Sequence, residues 1–142
     1  MRISDLLRQK GDLVVSVRPD QTVTELIDLL ARHGVGALVV SAEGGSVEGI
    51  ASERDVVRHL QQRGPSLLQA PVSEIMTSQV RTCPPDTTVH ELMRVMTEGR
   101  FRHVPVIDDG RLVGIVSIGD VVKYRIDELE VERDQLTAYI TS

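Results

Sequence analysis

The stretch Gly49-Ile50-Ala51-Ser52-Glu53-Arg54-Asp55-Val56-Val57 occurs twice. It returns 65 positions later as Gly114-Ile115-Val116-Ser117-Ile118-Gly119-Asp120-Val121-Val122. Upstream, Pro19-Asp20-Gln21-Thr22-Val23-Thr24-Glu25-Leu26 matches Pro85-Asp86-Thr87-Thr88-Val89-His90-Glu91-Leu92 at a spacing of 66. One residue is lost between the two matches, in the loops around Gly44-Gly45-Ser46 and Asp109-Gly110. Pairing 14–44 with 80–110 and 49–59 with 114–124 gives 42 pairs, of which 15 are identical. That is well above chance, so the chain is a tandem of two similar units.

Both units carry the same local signals. A short β-branched run (14–17; 80–82) reads as a strand. A Pro-Asp turn leads to Thr22 or Thr88, an N-cap with Glu25 or Glu91 three residues on as a capping box. Val23, Leu26, Ile27 and Leu30, and Val89, Leu92, Met93 and Met96, have helical spacing. Gly34 and Gly99 suit the ends of those helices. Strands at 37–40 with 47–51, and at 104–107 with 112–116, follow as hairpins, and a second helix opens at Ser52 or Ser117. The fold class is α/β of the α+β type, with tandem β-α-β-β-α repeats. A unit of about 45 residues is too small to bury a stable core alone. The two are therefore expected to pack sheet to sheet with pseudo-twofold symmetry, placing paired sites near the cleft between them. The expected divisions are an N-terminal helix in 1–11, a first unit in 12–62, a linker in 63–71, a second unit in 72–124 and a C-terminal helical extension in 125–142.

Composition narrows the function. The 142 residues are 41% hydrophobic, 26% charged and only 2% aromatic, with a net charge of -5. Three aromatic rings cannot build a base-stacking row, and an acidic chain is poorly suited to coating a phosphate backbone, so nucleic acid is not an expected partner. No stretch approaches the ~18 apolar residues of a membrane span. Asp5 falls where a signal peptide would have its apolar region, so a cytoplasmic location without a membrane partner is the default expectation. Cys83 is the only cysteine, and His33, His59, His90 and His103 have no metal-ligand spacing. No Ser-His-Asp arrangement or Walker-type loop supports an enzyme.

Two β-α-β-β-α units, each closing on Gly-hydrophobic-hydrophobic-Ser-x-x-Asp, resemble the cystathionine-β-synthase (CBS) domain pair, or Bateman module. The resemblance covers residues 12–124. Gly49–Asp55, Phe101-Arg102-His103-Val104-Pro105-Val106, Gly114–Asp120 and Val72-Ser73-Glu74-Ile75-Met76-Thr77 carry it. The chain is most similar to small stand-alone bacterial proteins built from one such pair.

The resemblance implies a regulatory module that binds an adenosine-containing ligand (AMP, ADP, ATP or NAD) between the repeats, with no metal required. Asp55 and Asp120 would hold ribose hydroxyls. Ser52, Ser117 and the adjoining first-turn amides would meet a phosphate, since helix N-termini favour anions. Ser-x-x-Asp at a helix start is equally a cap, and capping and binding are compatible. Ala37 and Leu38, and Arg102, His103, Val104 and Pro105, belong to strands whose backbone would read an adenine edge. Pro105 marks an interruption of its strand. The first unit has Ala37 and Val39 where the second has His103 and Pro105, so the two sites are expected to differ. Arg100, Arg102 and His103 make the second unit locally basic, whereas the first unit has Gly34, Gly36 and Ala37 there. Arg54 stands beside Asp55, and Gly119 in its place in the second unit allows close approach of a ligand to the backbone.

Val122, Ile126, Leu129, Leu136 and Ile140 form an interrupted 4-3-7-4 seam near the C-terminus, and residues 120–142 hold net -3 of the chain's charge. Single pairs of the family commonly dimerise, which implies a homodimer and an unidentified protein partner that reads the ligand state. The alternative is a structural dimerisation or interaction module with vestigial sites.

Overall fold

The computed structural model describes residues 1–11 and 14–141. The expected start of the first unit at residue 12 lies outside them. The elements are α1 (Ile3–Lys10), β1 (Ser16–Val17), α2 (Val23–His33), β2 (Ala37–Val40), β3 (Gly49–Ser52), α3 (Glu53–Arg63), α4 (Val89–Gly99), β4 (His103–Asp108), β5 (Arg111–Ser117) and α5 (Ile118–Thr141). In the first unit β1 runs parallel to β2, and β2 is antiparallel to β3. In the second, β4 and β5 form an antiparallel pair. The α+β architecture of two similar units is as expected.

The expected strand at 80–82 does not form. The register Ser16↔Val39 and Val17↔Val40 in the first unit is reduced to a single parallel bridge, Cys83↔Val106, in the second. The counterpart of Val39 is Pro105, which has no N–H to continue the ladder. Cys83 still donates to the Pro105 carbonyl at 3.1 Å and accepts from Ile107 at 2.9 Å.

Helix starts follow the sequence signals. Thr22 and Thr88 cap α2 and α4, each accepting from the N–H three residues on. The reciprocal half of the box is made by Glu91, whereas Glu25 accepts from the Gln21 side chain instead. Gly34 ends α2 at φ 62°, but the expected role of Gly99 passes to its neighbour. Arg100 adopts the left-handed conformation at φ 57°, and Gly99 makes room for Phe101, whose ring would lie 2.3 Å from a Cβ there.

Two aliphatic cores result, and they cross the order of the chain. The first gathers Val17, Leu26, Leu38, Val40 and Ala51 with Leu67, Val72 and Ile75. The second gathers Leu92, Val104, Val106, Val116 and Val121 with Ile3 and Leu6. The segment 70–76, of which 72–76 are expected to open the second unit, therefore packs on the first, and the N-terminal segment packs on the second. Their backbone bonds are equivalent. Val23 donates to the Ala70 carbonyl (2.9 Å) and Val72 to Gln21 (2.8 Å), just as Val89 donates to Met1 (3.1 Å) and Ile3 to Thr87 (2.8 Å). Residues 63–71, the expected linker, carry local structure of their own. Gly64–Gln69 is a 3-10 turn with Pro in its first positions, and it buries Leu67 completely.

Pseudo-twofold symmetry extends to the site elements. Glu53 N–H donates to the Gly36 carbonyl (2.9 Å), and its counterpart Ile118 donates to Arg102 (2.8 Å). The root of α5 is tied to its own unit by buried Val121 and by Glu128, which meets His90 at 3.1 Å, the Tyr124 hydroxyl at 3.0 Å and Arg125. The seam residues Val122, Ile126, Leu129, Leu136 and Ile140 are all exposed in the single chain.

Candidate functional site

Each Ser-x-x-Asp motif sits where a strand turns into a helix, because Ser52 and Ser117 end β3 and β5 in extended backbone just before α3 and α5. Both motifs form the expected caps. Asp55 Oδ2 accepts from the Ser52 N–H (2.9 Å) and hydroxyl (2.9 Å), while Ser52 Oγ accepts from the Asp55 N–H (3.3 Å). Arg58 holds the other oxygen at 2.7 Å. Asp55 is one of only two buried polar side chains among the described residues, at 4% exposure, so its carboxylate is fully engaged inside its own helix turn.

Asp120 is held differently. Its Oδ2 accepts from the Ser117 N–H (2.8 Å) and from Lys10 Nζ (2.7 Å), and the same ammonium donates to the Ile115 carbonyl (2.8 Å). Burial pushes the Asp120 carboxyl up, but the Lys10 ammonium and the Ser117 amide outweigh it and bring the group below the ordinary aspartate range. Lys10 thus reaches from α1 into the second unit's site, a role that its place at a helix end does not announce. The position equivalent to Lys10, reckoned from the matched segments 1–7 and 70–76, is Gln79.

The open cleft lies on the first unit's side. A cavity of about 500 Å³ brings together Ser52, Arg54, Asp55 and Arg58 of the first unit with Arg81, Arg100, Arg102 and His103 of the second. The basic cluster of the second unit therefore lines the cleft at the Ser-x-x-Asp of the first, while His103 also feels the charges of Lys10 and Asp120 in its own unit. Burial, reinforced by the Lys10 charge, pushes the His103 imidazole down, toward its neutral form. Gly36 lines the same cleft, and a Cβ there would stand 2.9 Å from the Glu53 carboxylate.

The remaining candidates fall elsewhere. Ala37, Leu38, Val104 and Pro105 are buried in β2 and β4, with their side chains outside this cleft. Asp120 and Lys10 line a separate cavity of about 470 Å³ between α1 and α5. Gly119 is exposed at the first turn of α5, where a Cβ would meet only Ser117 Oγ, at 3.6 Å. Arg58 and Arg81 belong to the cleft although no sequence motif singled them out. Their signal was only the helical spacing of Arg58 from Asp55 and the position of Arg81 before the bridge at Cys83. Among the described residues no His, Cys, Asp or Glu cluster suits a metal ion, and no helix is long and apolar enough to cross a membrane.

Comparison with known proteins agrees with the two-repeat fold. Residues 11–62 and 72–127 match the CBS domain family. The CBS domain-containing protein CBSX3, mitochondrial, of Arabidopsis thaliana is 38% identical over 97% of this chain and 71% of its own length. The crystal structure of the CBS-domain containing protein ATU1752 from Agrobacterium tumefaciens superposes with a TM-score of 0.83 at 48% identity, over 88% of this chain and 99% of that one. Two more distant structures, each 26% identical, hold adenosine compounds. The CBS domain pair of protein MJ0100, in complex with 5-methylthioadenosine and S-adenosyl-L-methionine, has a TM-score of 0.80 over 90% of this chain and 98% of its own. CBSX2, in complex with AMP, has a TM-score of 0.71 over 89% and 96%. The chain belongs to the CBS domain family, and its two units are a pair of CBS repeats.

Proposed function

We propose that this CBS pair is a regulatory module whose ligand is an adenosine nucleotide (AMP, ADP, ATP or NAD) bound in the cleft between Ser52–Asp55 and Arg100–His103. The observation that carries the reading is the convergence, in one 500 Å³ cavity, of a helix N-terminus bearing a carboxylate with arginines from the other repeat. That volume is ordinary for a small-molecule site. The carboxylate offers acceptors to a ribose diol, and the guanidiniums and first-turn amides offer donors to phosphate. Aliphatic walls suffice for the base. Related CBS pairs with adenosine compounds bound support the ligand class. The module works as a homodimer in the cytoplasm. Ligand binding alters the packing of one repeat on the other, and a protein partner reads the change, which requires the ligand to favour one state over the other.

A second reading is favoured by one observation. Both Asp55 oxygens already have partners, so a ribose must displace the Ser52 hydroxyl or Arg58. On that reading the motifs are caps and the protein is a structural interaction module. Calorimetric titration with AMP, ADP, ATP and NAD, on the wild type, Asp55→Ala and Asp120→Ala, separates the two. Binding to the wild type that is lost in Asp55→Ala supports the sensor. No binding to the wild type at millimolar ligand refutes it.

A further inference from the structure

The arginines of the cleft specify more than a nucleotide. Among the described residues, the guanidiniums of Arg54, Arg81, Arg100 and Arg102 have neither a hydrogen bond nor an ion pair. Arg58 is the one lining arginine that is matched, by Asp55. The lining carries five arginines against Glu53 and Asp55, a local charge of +3 on a chain of net -5. Four unmatched cations of like sign around one cavity repel each other, and they come from three separate places in the chain: the first turn of α3, the approach to Cys83 and the connection from α4 to β4. A concave, positively charged site focuses its field on an anion that enters it.

Among the described residues, the second unit's cavity sets Lys10 and Lys123 against Asp120, Asp127, Glu128 and Glu132, a surplus of negative charge. The counterparts of Arg54, Arg100 and Arg102 are Gly119, Gly34 and Gly36, and Lys10 is already paired with the Asp120 carboxylate. The charge therefore marks one site and one polarity.

Resting on the adenosine reading above, we infer that the first cleft takes a nucleoside 5′-polyphosphate, of the charge of ADP or ATP, and discriminates against uncharged or cationic adenosine compounds. A monophosphate leaves most of the four guanidiniums unmatched. A triphosphate chain carries enough oxygens to accept from several of them at once, and arginine suits that pairing because its planar fork donates two parallel bonds. Neutral methylthioadenosine and cationic S-adenosylmethionine bring no anion to the cluster.

The test is titration of the wild-type chain with methylthioadenosine, AMP, ADP, ATP and inorganic tripolyphosphate, without magnesium, at 50 mM and 300 mM potassium chloride. Arg54→Gln/Arg102→Gln serves as the variant, because both residues are exposed and neither has a structural partner. The expected result is ATP at least about tenfold tighter than AMP, a gap that narrows at 300 mM salt, and a variant that loses most of the gap. Equal affinities for AMP and ATP, or methylthioadenosine as tight as ATP, overturn the polyphosphate inference and leave the adenosine reading standing. Binding of tripolyphosphate with none of the adenosine compounds preferred over it overturns both. A circular dichroism melt of the variant matching the wild type establishes that lost binding is not lost folding.

Discussion

Lys10→Met removes one charge from the second unit's site while retaining a flexible apolar chain of similar size. The ammonium lies 2.7 Å from Asp120 and 2.8 Å from the Ile115 carbonyl, with 37% of the lysine side chain and 24% of the aspartate side chain exposed. At that separation Coulomb attraction in a water-like dielectric is about 1.5 kcal/mol, and ordering a long side chain offsets much of it. With the carbonyl bond contributing about 0.5 kcal/mol, the net is about 1 kcal/mol. Unfolding entropy of about 2.1 cal/mol/K per residue gives about 0.3 kcal/mol/K for a chain of this length, so Tm should fall by about 3 °C at pH 7. The sign of the pH effect follows from Asp120. Its carboxyl lies below the ordinary aspartate range in the folded chain, so its stabilising effect is present above that range and is lost as pH falls through the lowered value. Calorimetric melts of both proteins from pH 7 to about pH 2.5 should show the gap closing at the acid end, and 0.5 M salt at pH 7 should shrink it. A gap that is constant across pH, or none at pH 7, refutes the assignment of Lys10 to Asp120.

Asp55→Ala should cost about 2 kcal/mol, one part for the Ser52 amide left without its cap and one for the charge-assisted hydroxyl bond. Thermal melts without nucleotide should show Tm lower by about 7 °C, and a drop under 2 °C would contradict the bonding described. Gly49→Ala should destabilise by about 1–3 kcal/mol, because its Cβ would lie 2.7 Å from the Thr77 carbonyl. The equivalent Gly114→Ala should cost less, since the obstacle at 2.6 Å is the tip of Leu7, which can turn away, and urea midpoints that reverse this order would refute the comparison. Ile3→Ala should cost about 3 kcal/mol although it is the third residue of the chain, because Ile3 is fully buried in the second core. A wild-type melting curve for that variant would mean that the N-terminal segment is not part of the core.

The repeat, the element order and both caps were legible because each rests on local pattern: helical spacing, a Thr or Ser with an acidic residue three positions on, and glycines at turns. Legibility ended where distant segments meet. The run 80–82 has the composition of a strand, and only the pairing opposite Pro105 removes its ladder. Residues 72–77 read as the approach to the second repeat, yet they complete the first, since nothing local to Val72 or Ile75 tells which core they enter. The basic cluster at Arg100–His103 was visible, but its destination was not. Strand β4 brings His103 into the cavity that also holds the Ser52 turn of the other repeat, so the arginine cluster and the Asp55 carboxylate of that cleft come from different units. Lys10 stayed hidden for the same reason, lying more than a hundred positions from Asp120.

The crossed lead-in segments impose an order of assembly. Every member of the first core lies between Val17 and Ile75, so that core can close as soon as the segment after α3 has emerged from the ribosome. The second core holds Ile3 and Leu6 together with residues as late as Val121. Its closure must span almost the whole chain, at a loop entropy that grows only slowly with length. During synthesis the amphipathic α1 stays without its partners until β5 and the start of α5 are made. Helix α1 is thus made before the first core, yet it finds its partners only once the strands of the second unit are complete.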